Sequence, residues 1–341
     1  MKVFLTGGAG FIGSNFVHHM LREHPDYDIV VLDKLTYAGN LKNLESAFKN
    51  PRFQFIRQDI CDPAVSDAME GVDAVVHMAA ESHVDRSIEN ADDFVRTNVE
   101  GTWRMLDACR HAKVPRFLHV STDEVYGSLG ATGKFTERTP ISPNSPYSAT
   151  KASSDLLALA YFHTHKFPAL VTRCSNNYGP YQFPEKFIPL MIAQAEADQP
   201  LPVYGKGENV RDWIHVDDHC RALDVILHKG RVGEVYNIGG NSEMRNIDVV
   251  RMILSMLGKP ESLLKFVTDR PGHDLRYAID STKMKQELGW EPRWKFSDGL
   301  ASTVRWYREN AGWLEETRSG AYRDYFDRHY HRREQTFAAS Q

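Results

Sequence analysis

The sequence is poor in the features that would take it away from ordinary soluble globular proteins. It holds four cysteines in 341 residues (Cys61, Cys109, Cys174 and Cys220), with no C-x-x-C pair and no histidine at metal-ligand spacing. That pattern excludes a disulfide framework and predicts reduced thiols, a cytoplasmic location and no bound metal. No apolar run approaches the ~18 residues of a membrane span, so no membrane partner is expected. Met1-Lys2 leads straight into Val3-Phe4-Leu5 and then glycines, too short for a signal segment. The formal net charge of -4 offers no strong field of either sign, which disfavours nucleic acid as the main ligand. Internal repeats and low-complexity blocks are absent too. What remains is a globular chain whose length fits two domains better than one.

Its amino end alternates strand and helix. An apolar strand at 2–5 runs into Thr6-Gly7-Gly8-Ala9-Gly10-Phe11-Ile12-Gly13, after which Phe16, Val17, Met20 and Leu21 recur at helical spacing. Strand, glycine turn and helix are the context in which glycines 7, 10 and 13 cradle a pyrophosphate on backbone amides and the helix dipole. The next strand, Ile29–Leu32, ends in Asp33, near the ~20-residue offset of the carboxylate that binds an adenosine ribose. An acid there repels a 2′-phosphate, so NAD is expected rather than NADP. Phe53–Ile56 ends near Asp59-Ile60, at the adenine end, and Val72–Met78 ends in Ala79-Ala80-Glu81-Ser82-His83. Small residues there let a cofactor lie close; His83 reads equally as a sugar ligand or a polar loop residue. An amphipathic helix is predicted from Phe94 to His111, with Val95, Val99, Trp103, Leu106 and Ala108 at helical steps. This alternation predicts an α/β fold, a Rossmann-type doubly wound parallel sheet.

Arg116–Val120 reads as a central buried strand, and Ser121-Thr122-Asp123-Glu124-Val125-Tyr126-Gly127 leaves its carboxyl end, the edge where open α/β sheets bind ligands. Residues 130–144 form a surface loop, and a following helix puts Tyr147 and Lys151 on one face, four apart. Tyrosine is a poor base at neutral pH, with an unperturbed pKa of about 10. A neighbouring ammonium and a nicotinamide cation lower it. The pair then takes a proton from a substrate hydroxyl as hydride leaves its carbon, with Thr122 bonding the same hydroxyl. Asp123 and Glu124 add more: an alcohol oxidised to a ketone acidifies the neighbouring C–H, and a hydroxyl one carbon further can leave. One base and one acid are needed, and two carboxyls of separated pKa supply both. Adjacent strand residues point to opposite faces, so both reach one substrate only if the strand ends at Thr122.

After about Tyr178 the alternation loosens and prolines punctuate short segments. We therefore assign residues 1–177 to the dinucleotide-binding domain, with strands near 212–240 returning to it, and residues 178–341 mainly to a smaller mixed α/β substrate-binding domain. The last ~20 residues alternate aromatics with Arg323, Arg328, Arg332 and Arg333 and read as a solvated terminal helix.

Together these motifs resemble the dTDP-glucose 4,6-dehydratase family of extended short-chain dehydrogenases/reductases, from Lys2 to about Tyr330. The likeness is carried by the glycine turn, Asp33–Asn40, Ala80–Ser87, Ser121–Gly127, Ser175–Pro180, Pro184-Glu185-Lys186, Gly207–Trp213 and Asp269–Asp274. The loop between Gly127 and Pro140 is shorter than in some relatives. The resemblance implies a tightly held NAD regenerated each turnover and a homodimer through helices near 94–111 and 147–163. It implies that Tyr147 deprotonates the glucose 4-hydroxyl while NAD takes the C4 hydride. Glu124 then removes the C5 proton, Asp123 protonates the departing 6-hydroxyl, and the hydride returns to C6. It further assigns Gly7, Gly10, Phe11, Ile12, Gly13, Asp33, Lys34, Leu35, Thr36, Asp59, Ile60, Ala79, Ala80, Glu81, Thr97, Tyr147, Lys151 and Asn177 to the cofactor. To the nucleotide sugar it assigns Ser82, His83, Thr122, Asn176, Glu185, Lys186, Phe187, Pro202, Val203, Tyr204, Arg211, Asn246, Asp269, Arg270 and His273. Arg211 and Arg270 would clamp the diphosphate, and Tyr204 would stack on the base. A UDP-sugar 4-epimerase or decarboxylase shares everything but a use for the Asp-Glu pair; an NAD-binding sensor without turnover needs neither pair.

Overall fold

The computed structural model describes residues 1–318. The tail bearing Arg323, Arg328, Arg332 and Arg333 lies outside them. In chain order the strands are β1 (Lys2–Thr6), β2 (Asp28–Asp33), β3 (Phe53–Arg57), β4 (Ala74–His77), β5 (Phe117–Thr122), β6 (Ala169–Cys174), β7 (Asn176–Tyr178), β8 (Leu201–Tyr204), β9 (Val210–His215), β10 (Val235–Ile238), β11 (Glu243–Arg245) and β12 (Leu264–Val267). Seven form one parallel sheet in the order β10-β6-β5-β4-β1-β2-β3. Helices on both faces bury it, so β1, β4 and β6 are buried along almost their whole length rather than at alternate residues. Strand order reverses between β1 and β4, and a doubly wound sheet opens a crevice at that point.

The helix Phe11–Glu23 buries Phe16, Val17 and Met20 against this sheet. Each such side chain contributes roughly 1.5–3 kcal/mol relative to exposure. The helix Pro146–His165 starts from a capping box. Ser145 Oγ accepts from Ser148 N at 3.1 Å while Ser145 N donates to Ser148 Oγ at 3.0 Å, with Pro146 in the first turn. Behind it Asp155, fully buried, accepts from Arg173 Nε at 2.8 Å and lies 3.4 Å from His119 Nε2. This buried pair pins the helix to β5 and β6; removing one partner of such a pair costs about 3–5 kcal/mol.

Two segments differ from the sequence reading. The helix expected over 94–111 contains a π-helical stretch, Val95–Gly101, before the regular helix Thr102–His111. The extra residue per turn points Thr97 and Asn98 inward, while Val95 (52% exposed) and Trp103 (41%) face outward. Of the two segments expected to return, β10 does pair with β6, but β9 joins a separate three-stranded sheet between β11 and β7. With the β12–β8 pair and the helices Phe187–Glu196, Asn246–Leu257 and Phe296–Glu309, that sheet surrounds a second apolar core. No helix among the described residues is long and apolar enough to cross a membrane.

Candidate active site

Two clefts meet beyond the carboxyl ends of the strands. The first runs from the glycine turn past Asp33 and Asp59 to Tyr147 and Lys151; the second lies between the sheet and the smaller domain. Glu124, Asn176, Asn177, Gln182 and Lys186 line both, so the two spaces share a wall.

The first cleft has the shape of a dinucleotide cradle. Gly7 has φ +72°, and a Cβ there would sit 2.7 Å from the Ala79 backbone; at Gly13 it would sit 2.2 Å from the Gly7 carbonyl oxygen. Those two glycines let turn, helix and β4 close together. A Cβ at Gly10 would meet only the Gly7 oxygen at 3.4 Å, so its absence opens space toward the cleft. Gly10 caps the helix Phe11–Glu23 without a side-chain hydrogen bond, which leaves the amino end ready for an anion. Asp33 is fixed by two amides, Ala9 N on Oδ2 at 3.0 Å and Leu35 N on Oδ1 at 2.8 Å, with lone pairs remaining for ribose hydroxyls. Thr97, delivered by the π-helical stretch, lines the cleft with a buried hydroxyl that has no protein partner. These features fit NAD.

Of the residues assigned to cofactor, all but Leu35 line this cleft. Leu35 instead takes a left-handed turn (φ 61°) and packs on the core. Asn177 lines it, but its side chain is engaged: Nδ2 donates to the Ser175 carbonyl at 3.0 Å and Oδ1 lies 2.9 Å from His219 Nδ1.

At the shared wall β5 does end at Thr122. Asp123–Tyr126 form a single 3₁₀ turn capped by Thr122 Oγ1, which accepts from Glu124 N at 3.3 Å. The turn brings both carboxyls to the first cleft. Asp123 is buried, with Oδ2 lacking any protein partner; burial, then the charges of Glu124 and Asp212, pushes its pKa well above the carboxylate range. Burial raises Glu124 as well, but Arg270, Lys186 and Arg211 pull it back. The two acids are thus unlike: Asp123 favours holding a proton, Glu124 is beside three cations.

Tyr147 and Lys151 line the same cleft. Lys151 Nζ donates to the Val120 carbonyl at 2.8 Å, and burial lowers its pKa to about 8. Burial, then Glu124, Cys174 and Asp123, drives the Tyr147 phenol well above its ordinary value. A hydrogen bond with Thr122 opposes that rise, and the lowering expected from Lys151 is not seen in the protein alone.

The second cleft collects His83, Asn176, Glu185, Lys186, Phe187, Pro202, Val203, Tyr204, Arg211, Asn246, Arg270 and His273. Ser82 and Thr122 open on the first. Arg211 is buried, donating to the Val210 and Asp274 carbonyls at 2.8 and 2.9 Å and lying 4.3 Å above the Tyr277 ring; these partners are neutral. Arg270 reaches Asp85 only at 4.0 Å and keeps a buried Nε without a hydrogen bond. Two under-neutralised guanidiniums in one cleft suit a diphosphate. Glu185 sits there too, but Arg86 grips its carboxylate in a fork at 2.8 and 2.5 Å. Burial lowers the His83 pKa to about 4, so its imidazole is neutral. Asp269 lines neither cleft; its Oδ1 sits 2.5 Å from His273 Nδ1 and orients that ring.

The sequence reading missed Asp85, Trp213, Tyr277 and Asp212. The first three line the second cleft, and Asp212 holds the Gly240 and Ser242 amides at 3.0 and 2.6 Å behind Asp123. Asp85, Asp212 and Trp213 stand in the stretches Ala80–Ser87 and Gly207–Trp213 that carry the resemblance; nothing local marked Tyr277.

Comparison with known proteins agrees with this geometry. Residues 4–303 match the family model described as GDP-mannose 4,6 dehydratase. A dTDP-glucose 4,6-dehydratase of Xanthomonas campestris pv. campestris (strain B100) is 55% identical over 340 residues, spanning 94% of this chain and 96% of the relative. A dTDP-glucose 4,6-dehydratase from Streptomyces venezuelae, solved with NAD bound, superposes with a TM-score of 0.91 at 51% identity, covering 93% of this chain and 100% of its own. A UDP-glucuronic acid 4-epimerase from Bacillus cereus shares the fold at a TM-score of 0.86 but only 32% identity, over 91% and 99% of the two chains. With a dinucleotide cradle, a Tyr-Lys pair and two dissimilar carboxyls on one wall, the chain belongs to the GDP-mannose 4,6 dehydratase family, beside its dTDP-glucose 4,6-dehydratases.

Proposed function

We propose that the chain dehydrates dTDP-glucose to dTDP-4-keto-6-deoxyglucose and water, as an NAD-dependent hydro-lyase. The observation that carries this reading is the Asp123–Glu124 turn, two carboxyls in unlike surroundings on the wall that also holds Tyr147. A 4-epimerase or a sensor has no use for that pair. NAD would be held by the glycine turn and Asp33, accepting the C4 hydride and giving it back at C6. Tyr147, beside Thr122, takes the 4-hydroxyl proton. Glu124 takes the C5 proton and later returns one; Asp123 gives a proton to the 6-hydroxyl, which leaves as water. The proton gained at Tyr147 balances the one Asp123 gives up. Arg211 and Arg270 hold the diphosphate, and Pro202, Val203 and Tyr204 border the base. Four buried free thiols suit a reducing compartment, so we place the reaction in the cytoplasm.

Because each turnover restores the cofactor, the protein should be purified with it. Incubated with dTDP-glucose and no added NAD, it is expected to yield a sugar nucleotide lighter by one water in mass spectrometry. No dehydration even with added NAD would overturn the function; dehydration only with added NAD would overturn tight retention.

We also propose a homodimer. Val95, Val99 and Trp103 form, with Leu157, an apolar groove on the outer face of two helices, and Leu156 beside it is 55% exposed. A stripe of this kind on adjacent helices suits a copy of itself related by a twofold axis. Sedimentation at micromolar concentration is expected to give a dimer, and Trp103→Glu with Leu156→Glu a monomer. A monomeric unsubstituted protein would rule it out.

A further inference from the structure

We propose that His24, Asp224 and His228 form a binding site for one divalent transition-metal ion, of which Zn²⁺ is the best fit, on the side of the sheet away from the clefts.

His24 caps the carboxyl end of the helix Phe11–Glu23, and Asp224 and His228 stand one turn apart near the end of the helix Val216–Lys229. Their ligand atoms all lie within 4.8 Å of one another. Asp224 Oδ1 is 2.9 Å from both His24 Nε2 and His228 Nδ1. Tetrahedral bonds of ~2.0–2.2 Å to a zinc ion place ligand atoms ~3.3–3.5 Å apart, so the Asp224 oxygen has to draw back from each imidazole by about half an ångström to admit the ion. Two imidazoles and a carboxylate make a borderline-soft donor set that favours zinc and its neighbours over calcium or magnesium.

The surroundings support each ligand. His19 Nε2 lies 2.9 Å from Asp224 Oδ2, while Arg22 Nη2 donates to its Nδ1 at 3.2 Å, so the free proton of His19 is on Nε2 and is given to the carboxylate. His19 thereby orients Asp224 from behind. His228 Nδ1 also donates to the Asp224 backbone carbonyl at 2.9 Å, a hydrogen bond that an ion has to displace; Tyr27 Oη, 3.1 Å from His228 Nε2, then takes the proton on that nitrogen. The His24 ring packs against both Tyr27 and His228, with centroids at 4.6 and 4.8 Å, and those two rings lie 5.9 Å apart; the three-ring cluster restricts its rotation. The carboxyl ends of two helices converge on the site, and their dipoles favour a cation there. Arg22 and Arg116 are opposing charges; the first points at the outer nitrogen of His19.

An ion here would tie the first helix of the dinucleotide half to the helix that delivers β10, far from the reacting carbons. Occupancy should therefore change stability and leave dehydration unaltered.

The test uses untagged protein stripped with chelator, titrated by calorimetry with Zn²⁺ and by absorbance with Co²⁺. One saturable ion per chain is expected, with a thermal midpoint that rises with Zn²⁺ concentration. His24→Gln with His228→Gln should abolish binding, and Tyr27→Phe should weaken it by roughly 10-fold. His228→Cys should keep the site and give Co²⁺ an intense thiolate charge-transfer band. Absence of saturable binding would overturn the proposal, as would unchanged affinity in the double variant. If that variant does not fold, a His228→Cys protein without the charge-transfer band overturns it instead.

Discussion

Tyr147→Phe is expected to lower dehydration of dTDP-glucose by ~10²–10⁴-fold and to remove solvent deuterium entry at C5 in parallel, with substrate affinity nearly unchanged. Loss of the phenol leaves no group in position to take the 4-hydroxyl proton. Without a 4-ketone the C5 hydrogen is not acidic, so nothing downstream can proceed. Retained C5 exchange in this variant would show that another group takes the 4-hydroxyl proton as C4 is oxidised. The phenol's environment makes a second, signed expectation. Burial and the neighbouring acids raise its pKa, and Lys151 is tied to the Val120 carbonyl at 2.8 Å. Positive charge from Lys151 and from the bound nicotinamide has to bring that pKa back down. Lys151→Met removes one of the two charges, so the phenol needs a higher pH to ionise. The acidic limb of the pH–rate profile should move to more alkaline values, and an unmoved or acid-shifted limb would contradict the assigned role.

The parts of the site that were legible in the sequence are those where chemistry and chain direction coincide. Gly7, Gly10 and Gly13 follow one strand, Asp33 ends the next, and Thr122-Asp123-Glu124 end β5; in a parallel sheet all these ends open on one edge. Tyr147 and Lys151 needed only helical spacing. Residues that depend on a neighbour distant in sequence were harder. Glu185 looked like a ligand because its motif did, yet its use is decided by Arg86, 99 residues away. Leu35 and Asp269 were carried along by adjacency; a left-handed backbone turns Leu35 onto the core, and Asp269 faces His273. The exposed face of Val95 and Trp103 was hidden because a regular helical period was assumed, and the π-helical stretch breaks that period. His24 and Asp224 are 200 residues apart, so ligand spacing along the chain could not reveal them.

Separate roles for the two carboxyls lead to opposite isotopic outcomes. Burial and the Glu124 and Asp212 charges all oppose the ionisation of Asp123 and raise its pKa. It is suited to protonate the 6-hydroxyl and unsuited to attack C5. Glu124 is raised by burial but held down by Arg270, Lys186 and Arg211. When a diphosphate neutralises the two guanidiniums, that restraint weakens and Glu124 becomes a stronger base, so binding itself prepares it for the C5 proton. Asp123→Asn is therefore expected to slow loss of water by ~10²–10⁴-fold while deuterium still enters C5 from solvent. Glu124→Gln should suppress both by a similar factor, and should do so even at raised pH, because an amide cannot be converted to a base. The readouts are the mass of the sugar nucleotide after single-turnover mixing in heavy water and its C5 proton signal. Deuterium entering C5 in Glu124→Gln as fast as in the unsubstituted protein would remove Glu124 from the role. Identical behaviour of the two variants would mean that the carboxyls titrate as one coupled unit, sharing a proton across the 3₁₀ turn that joins them.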